Sequence, residues 1–161
     1  MKLQRSLRRL ADTSGANLME AAIITPLLLI LTFGIVDFAG MFYTWTALEN
    51  GVSVATRFAI TGNAMADPSN PSQNLSHEAA IMAAMRNATP TITINDADFT
   101  FSHMAPGGST WVAGAGGPND VGKVTVTHVW TPLTPILGPF LTNGQMTVSV
   151  DSAMKNESKF Q

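Results

Sequence analysis

Residues 21–43, AAIITPLLLILTFGIVDFAGMFY, decide how this chain folds. They hold one charged residue, Asp37, and are apolar on every side rather than along one stripe. A helix on a soluble core shows an apolar face of limited width, so a run of 23 residues of this kind reads as membrane-spanning. At 1.5 Å per residue it reaches about 34 Å, enough to cross a hydrocarbon layer of about 30 Å. A secretory signal shares the basic start, but its apolar core is shorter, at about 7–15 residues. The leader 1–15 holds Lys2, Arg5, Arg8 and Arg9 against the single acid Asp12, and the first basic residue beyond the span is Arg57. The positive-inside rule then keeps the N-terminus cytoplasmic, puts the chain beyond about residue 45 outside, and sets Tyr43 and Trp45 at the outer interface. Pro26, inside the span, removes one backbone donor.

Outward from the span, the pattern turns amphipathic. Leu48, Val52, Ala55 and Ala59 recur at helical spacing, with Phe58 on a neighbouring stripe, so the helix continues to about Ile60 and stops at Thr61-Gly62-Asn63. Residues 65–74 are rich in turn formers and read as a loop. A short helix follows, with Ser76 as its N-cap, Glu78 in its first turn, Met82 and Met85 as core filler, and Thr89-Pro90 as its end. Alternation then takes over at Ile92 and Ile94, at Ala97, Phe99 and Phe101, at Val124, Val126 and Trp130, and at Met146, Val148 and Val150, which predicts an antiparallel sheet with one buried face. Residues 106–122 hold six Gly and two Pro and read as an exposed, mobile excursion. The segment around Pro132, Pro135, Gly138 and Pro139 carries Leu133, Ile136, Leu137, Phe140 and Leu141, apolar enough to pack down. The predicted class is α+β: a basic leader at 1–15, a long helix at 16–62 with its transmembrane part at 21–43, and a small antiparallel-sheet domain with one short helix at 63–161.

Composition narrows the function. A 161-residue chain with 45% hydrophobic and 12% charged residues is not a disordered tail. Nine basic against eleven acidic residues, net −2, give no basic field for nucleic acid. The absence of cysteine excludes disulfides, a thiolate nucleophile and cysteine-held metals. Residues 117–123 satisfy G-x4-G-K, but a phosphate-binding loop needs a hydroxyl after its lysine and a helix behind it, and Val124 opens a strand. His77, His103 and His128 are scattered without metal-ligand spacing, and there is no G-x-S-x-G nucleophile turn. No catalytic residue, metal or cofactor is assigned.

The most specific stretch is Ser14-Gly15-Ala16-Asn17-Leu18-Met19-Glu20, where the basic leader meets the span. A carboxylate at the edge of a membrane helix is costly unless solvated or paired, so Glu20 is either a first-turn acid facing water and headgroups or a residue with a specific partner. This stretch resembles the processing region of type IV prepilins. Together with Ala21-Ala22, with Thr25-Pro26-Leu27, with Phe33-Gly34-Ile35-Val36-Asp37-Phe38, with Ala47-Leu48-Glu49-Asn50 and with Ala55-Thr56-Arg57, it is similar to the TadE-like proteins of the Flp/Tad pilus system. The similarity recurs in Thr131-Pro132-Leu133-Thr134-Pro135 and in residues 151–157.

The resemblance implies a pilin-like fold and a non-enzymatic minor pilin or pseudopilin that takes part in pilus assembly and surface attachment. It implies cleavage by a prepilin peptidase between Gly15 and Ala16, which leaves Glu20 as the fifth mature residue. Prepilins favour Phe at the first mature position, where this chain has Ala16. Glu20 would serve subunit assembly. Asp37 is a second assembly candidate, read either as an acid near the outer headgroups or as the partner of a neighbouring subunit. The implied partners are the peptidase, other pilin-like subunits, the inner-membrane platform of the Tad pilus and the bilayer, with no nucleic acid. The implied location is the bacterial inner membrane, with a single span and the C-terminal domain outside. The competing reading is an unprocessed single-pass envelope protein whose outer domain binds a partner.

Overall fold

The computed structural model describes residues 14–158. The basic leader residues Lys2, Arg5, Arg8, Arg9 and Asp12 therefore lie outside the described residues. Helix α1, Ser14–Thr61, runs through 48 residues with Pro26 inside it. Within it, the hydroxyls of Thr32, Thr44 and Thr56 donate to the carbonyls of Leu28, Gly40 and Val52, one turn back. The helix ends as the sequence predicts. Gly62 adopts a φ of 62°, a left-handed conformation that glycine takes without a Cβ penalty, and its N–H donates to the Ala59 carbonyl. The Ile60 carbonyl accepts a second, long-range bond from the Glu157 N–H at 2.9 Å.

The expected loop at 65–74 folds instead as a small hairpin, β1 (Ala66–Asp67) with β2 (Asn70–Asn74), whose turn is held by the Ser69 N–H on Asp67 Oδ1. Helix α2, His77–Ala88, starts at Ser76, whose Oγ accepts the Ala79 N–H. Strands β3 (Phe99–Met104), β4 (Val112–Ala113), β5 (Val121–Trp130) and β6 (Met146–Lys155) form one antiparallel sheet in the order β4-β3-β5-β6. In the register, Phe99 faces Val126 and Val126 faces Val150, so the predicted alternation puts all three on one buried face. The second half of α1 lies across β5 and β6 on that face, and α2 packs against α1. The core forms where they meet, around Leu48, Val52, Ile81, Met85 and Val126, each worth about 1.5–3 kcal/mol of burial. Leu48, Val52, Ala55 and Ala59 are all buried, as their spacing predicts.

Two expectations are corrected. Ile92 and Ile94 lie outside any strand: Ile94 is buried, and its carbonyl is taken by the Arg86 Nε–H at 2.9 Å rather than by a neighbouring strand. Residues 106–122 are pinned rather than a free excursion. Val112 and Ala113 pair with β3, the Gly114 N–H donates to the Phe101 carbonyl, and Asn156 Nδ2 donates to the Gly117 carbonyl. The Lys123 ammonium sits 4.5 Å from the centroid of the Trp111 ring. Glycine is frequent here for a steric reason. Gly116 has a φ of +77°, and a Cβ there would lie 2.6 Å from His103 Cβ.

His77 stands at the junction of α2 and the end of α1, with a hydrogen bond to the Ala59 backbone. Burial lowers its pKa, opposed by the charge of Glu78 and by that hydrogen bond. The unfolded chain therefore takes up a proton before the folded one does, so the contribution of His77 to stability is full above about pH 6.5 and is lost as pH falls below it. Urea unfolding in detergent micelles should show stability dropping between pH 7 and pH 5, with a shallower drop in His77→Gln; equal slopes would place the effect elsewhere.

At Gly51 the end of α2 comes close to α1: a Cβ there would lie 2.5 Å from Thr89 Cγ2 and 3.3 Å from Met85 side-chain atoms. Gly51→Ala should cost about 1–3 kcal/mol in urea unfolding of the full chain. Gly34→Ala, in the same helix but with nothing within 4 Å, should leave stability unchanged or raise it by up to about 1 kcal/mol.

Candidate functional site

Helix α1 divides into two parts. From residue 15 to residue 36 all positions are exposed except the half-buried Gly34, and the side chains include Leu18, Ile23, Leu27, Leu31 and Ile35. That is 22 residues, about 33 Å of helix. The helix is long and apolar enough to cross a membrane, consistent with a single-pass membrane protein. From Asp37 onward one stripe is covered, running through Met41, Thr44, Leu48, Val52, Ala55 and Ala59. The bare part thus ends at Val36, short of Tyr43. Tyr43 remains exposed, yet its hydroxyl hydrogen-bonds Thr91 Oγ1 at 2.7 Å, so the domain already reaches that level.

Asp37 is the first residue of the covered stripe and is 0% exposed. A buried carboxyl group needs hydrogen-bond donors, and Asp37 finds both in one residue of its own chain. The Thr134 N–H donates to Oδ1 at 2.9 Å, and the Thr134 hydroxyl donates to Oδ2 at 2.5 Å. Thr134 Oγ1 also accepts the Ile136 N–H at 3.4 Å, which curls the backbone around the carboxyl. Three residues further along α1, a Cβ at Gly40 would lie 3.3 Å from Leu133 Cδ1, so the loop after β5 rests directly on α1. Asp37 therefore meets a partner within its own chain.

The remaining site residues lie at the other end of the bare part. Glu20 is exposed, in the second turn of the helix rather than the first, and bonds to no other described residue. Gly15 has open space where a Cβ would stand, so packing among the described residues does not demand glycine there. Ala16 and Asp37 are separated by about 32 Å of helix, so the structure does not bring the cleavage position and the buried acid together. Among the described residues, no group of three His, Cys, Asp or Glu could hold a metal ion.

Residues 15–57 match the TadE-like protein family. The chain carries a TadE-like region. No curated protein and no solved structure matches it. The TadE-like region begins at Gly15 and takes in Ala16, Glu20, Asp37 and Gly51, which is the bare helix together with most of its packed continuation. It points to involvement in Tad pilus systems. Thr134 lies outside it and was not singled out from sequence as a partner of Asp37. The available signal was the Thr131-Pro132-Leu133-Thr134-Pro135 motif, which carried part of the resemblance without saying what its threonines touch.

The bond between Asp37 and Thr134 can be measured by a double-mutant cycle. Asp37→Asn and Thr134→Val should each destabilise the full chain in micelles by about 1–3 kcal/mol, and the double variant by less than their sum. Additive losses would mean that the two residues stabilise the protein independently.

Proposed function

We propose that this chain is a prepilin-like minor pilin or assembly subunit of a Tad-type IV pilus, non-enzymatic, and held in the bacterial cytoplasmic membrane by residues 15–36 with its sheet domain outside. The observation that carries the reading is the division of α1 within a TadE-like region: bare and apolar for 22 residues, then one-sided and built into a small sheet. A helix of this form can pass from lipid into a bundle of like helices, because its exposed surface is apolar in either setting.

The chemistry proposed for the N-terminus follows from charge. Cleavage between Gly15 and Ala16 removes Lys2, Arg5, Arg8 and Arg9 and creates an ammonium group at Ala16, one helical turn before Glu20. In a low-dielectric bundle an unpaired ammonium is costly. Glu20 of an adjacent subunit supplies the opposite charge. The exposure of Glu20 in the single chain, where no described residue bonds to it, leaves it available for that pairing. The processed chain would carry five basic and ten acidic residues, a balance that does not favour DNA.

Mass spectrometry of the membrane-bound chain tests the reading. Wild type should begin at Ala16, and Gly15→Trp should retain the leader. Because nothing stands within 4 Å of a Cβ at Gly15, retention in that variant reports on peptidase access rather than on disturbed packing. Glu20→Ala should be cleaved at the wild-type position yet be depleted from pilus preparations at least tenfold. An intact wild-type N-terminus in cells with an active prepilin peptidase would replace this reading with that of an unprocessed anchor.

A further inference from the structure

Two stretches of the chain that meet in space are almost free of charge. Between Ala21 and Leu48 the only charged residue is Asp37, which is buried, and between Val129 and Val150 there is none. These two stretches are neighbours in space, because Thr134 bonds Asp37 and Leu133 lies against Gly40. Charges return at Glu49 on α1 and at Asp151 on β6, and Asp96 and Asp98 lie in a turn that contacts β5. The charge-free zone extends about 16 Å along α1 beyond Asp37. A domain surface bathed in water normally carries charged side chains throughout.

The same zone exposes large apolar groups. In the loop after β5, Leu133 is 74% and Phe140 82% exposed, beside Val129 at 51%. The expectation that this loop packs down holds for Leu141, which rests against the core, and fails for Leu133 and Phe140. On the helix, Phe38 and Phe42 are also more than half exposed. An exposed patch of this kind marks contact with lipid or with another protein.

We propose that residues 131–142 form a foot that enters the headgroup and upper acyl region of the outer leaflet, beside the point where α1 leaves the bilayer. The proposal rests on the reading of residues 15–36 as the span. Two observations favour lipid over a protein partner. The patch is continuous with the bare helix surface, which ends at Val36 immediately beneath the Asp37–Thr134 tie. Its polar groups are uncharged, with Thr131, Thr142, Asn143 and Gln145 around the apolar ones, a composition that suits the headgroup boundary.

The absence of cysteine makes every introduced thiol unique. Leu133→Cys and Phe140→Cys remove exposed side chains and so leave the core intact, while Ile30→Cys marks the span and Thr100→Cys, exposed on β3, marks water. Each full-length variant carries a nitrobenzoxadiazole dye and is reconstituted in phosphatidylcholine–phosphatidylglycerol vesicles. Quenching by aqueous iodide is then compared with quenching by lipids spin-labelled near the glycerol or deep in the chain. Labels at 133 and 140 should have blue-shifted emission and be quenched several-fold more by the shallow lipid than by iodide, at every protein-to-lipid ratio. If they follow Thr100→Cys while Ile30→Cys follows the deep quencher, the span stands and the foot is overturned. Should Ile30→Cys also follow iodide, the span fails and the foot falls with it. Protection that emerges only as protein is raised against lipid would assign the patch to a second copy of the chain and overturn the lipid proposal.

Discussion

The carboxyl group of Asp37, closed from solvent and held by the N–H and O–H of Thr134, is the interaction on which the rest of the architecture depends. A carboxyl group in an apolar setting is tolerated only when its oxygens are hydrogen-bonded, and here both are satisfied by a residue 97 positions away in the chain. That demand pins the loop after β5 to α1 at one defined height. Between Glu20 and this height the helix is exposed and apolar on every side. Above it a single stripe faces inward, and charge appears on the other side only from Glu49. One continuous helix thus serves two environments, and Asp37 marks the change.

The covered part of α1 belongs to the domain as much as to the anchor. A four-stranded sheet with a two-residue edge strand has little to bury its apolar face against, and α1 supplies Leu48, Val52 and Ala55 as that surface. The backbone bond from Glu157 to Ile60 closes the far end, and the Asp37–Thr134 bonds close the near end, so the sheet is fastened to the helix at both extremities. A fragment starting near residue 46 would lack Asp37, Met41 and Thr44 and would leave the loop after β5 without its partner. Motion of the domain relative to the second half of α1 would have to break these bonds. Any pull on the bare half is therefore delivered directly to the sheet.

Glycine and proline in this chain serve approach and satisfaction more than looseness. Gly51 lets α2 come within contact of α1, and Gly116 lets the backbone pass His103. In the loop after β5, Pro132, Pro135 and Pro139 remove three donors that would otherwise need partners. The same residues, counted by composition, read only as breakers.

The sequence by itself determined the long helix, its apolar half, its end at Gly62, the cap of α2 at Ser76 and the alternation of β3, β5 and β6, because each follows from periodicity or backbone conformation within a short window. The Gly15-Ala16 junction and Glu20 were legible for the same reason, as a local pattern at the start of the span. Tertiary structure alone decided that Asp37 answers to Thr134, that residues 106–122 are held by His103, Asn156 and Lys123, that Ile94 lies outside the sheet, and that Leu133 and Phe140 stay uncovered. These depend on pairings between residues far apart in the chain. A local pattern can say that a residue needs a partner, but which one it meets is settled only when the helix and sheet pack together.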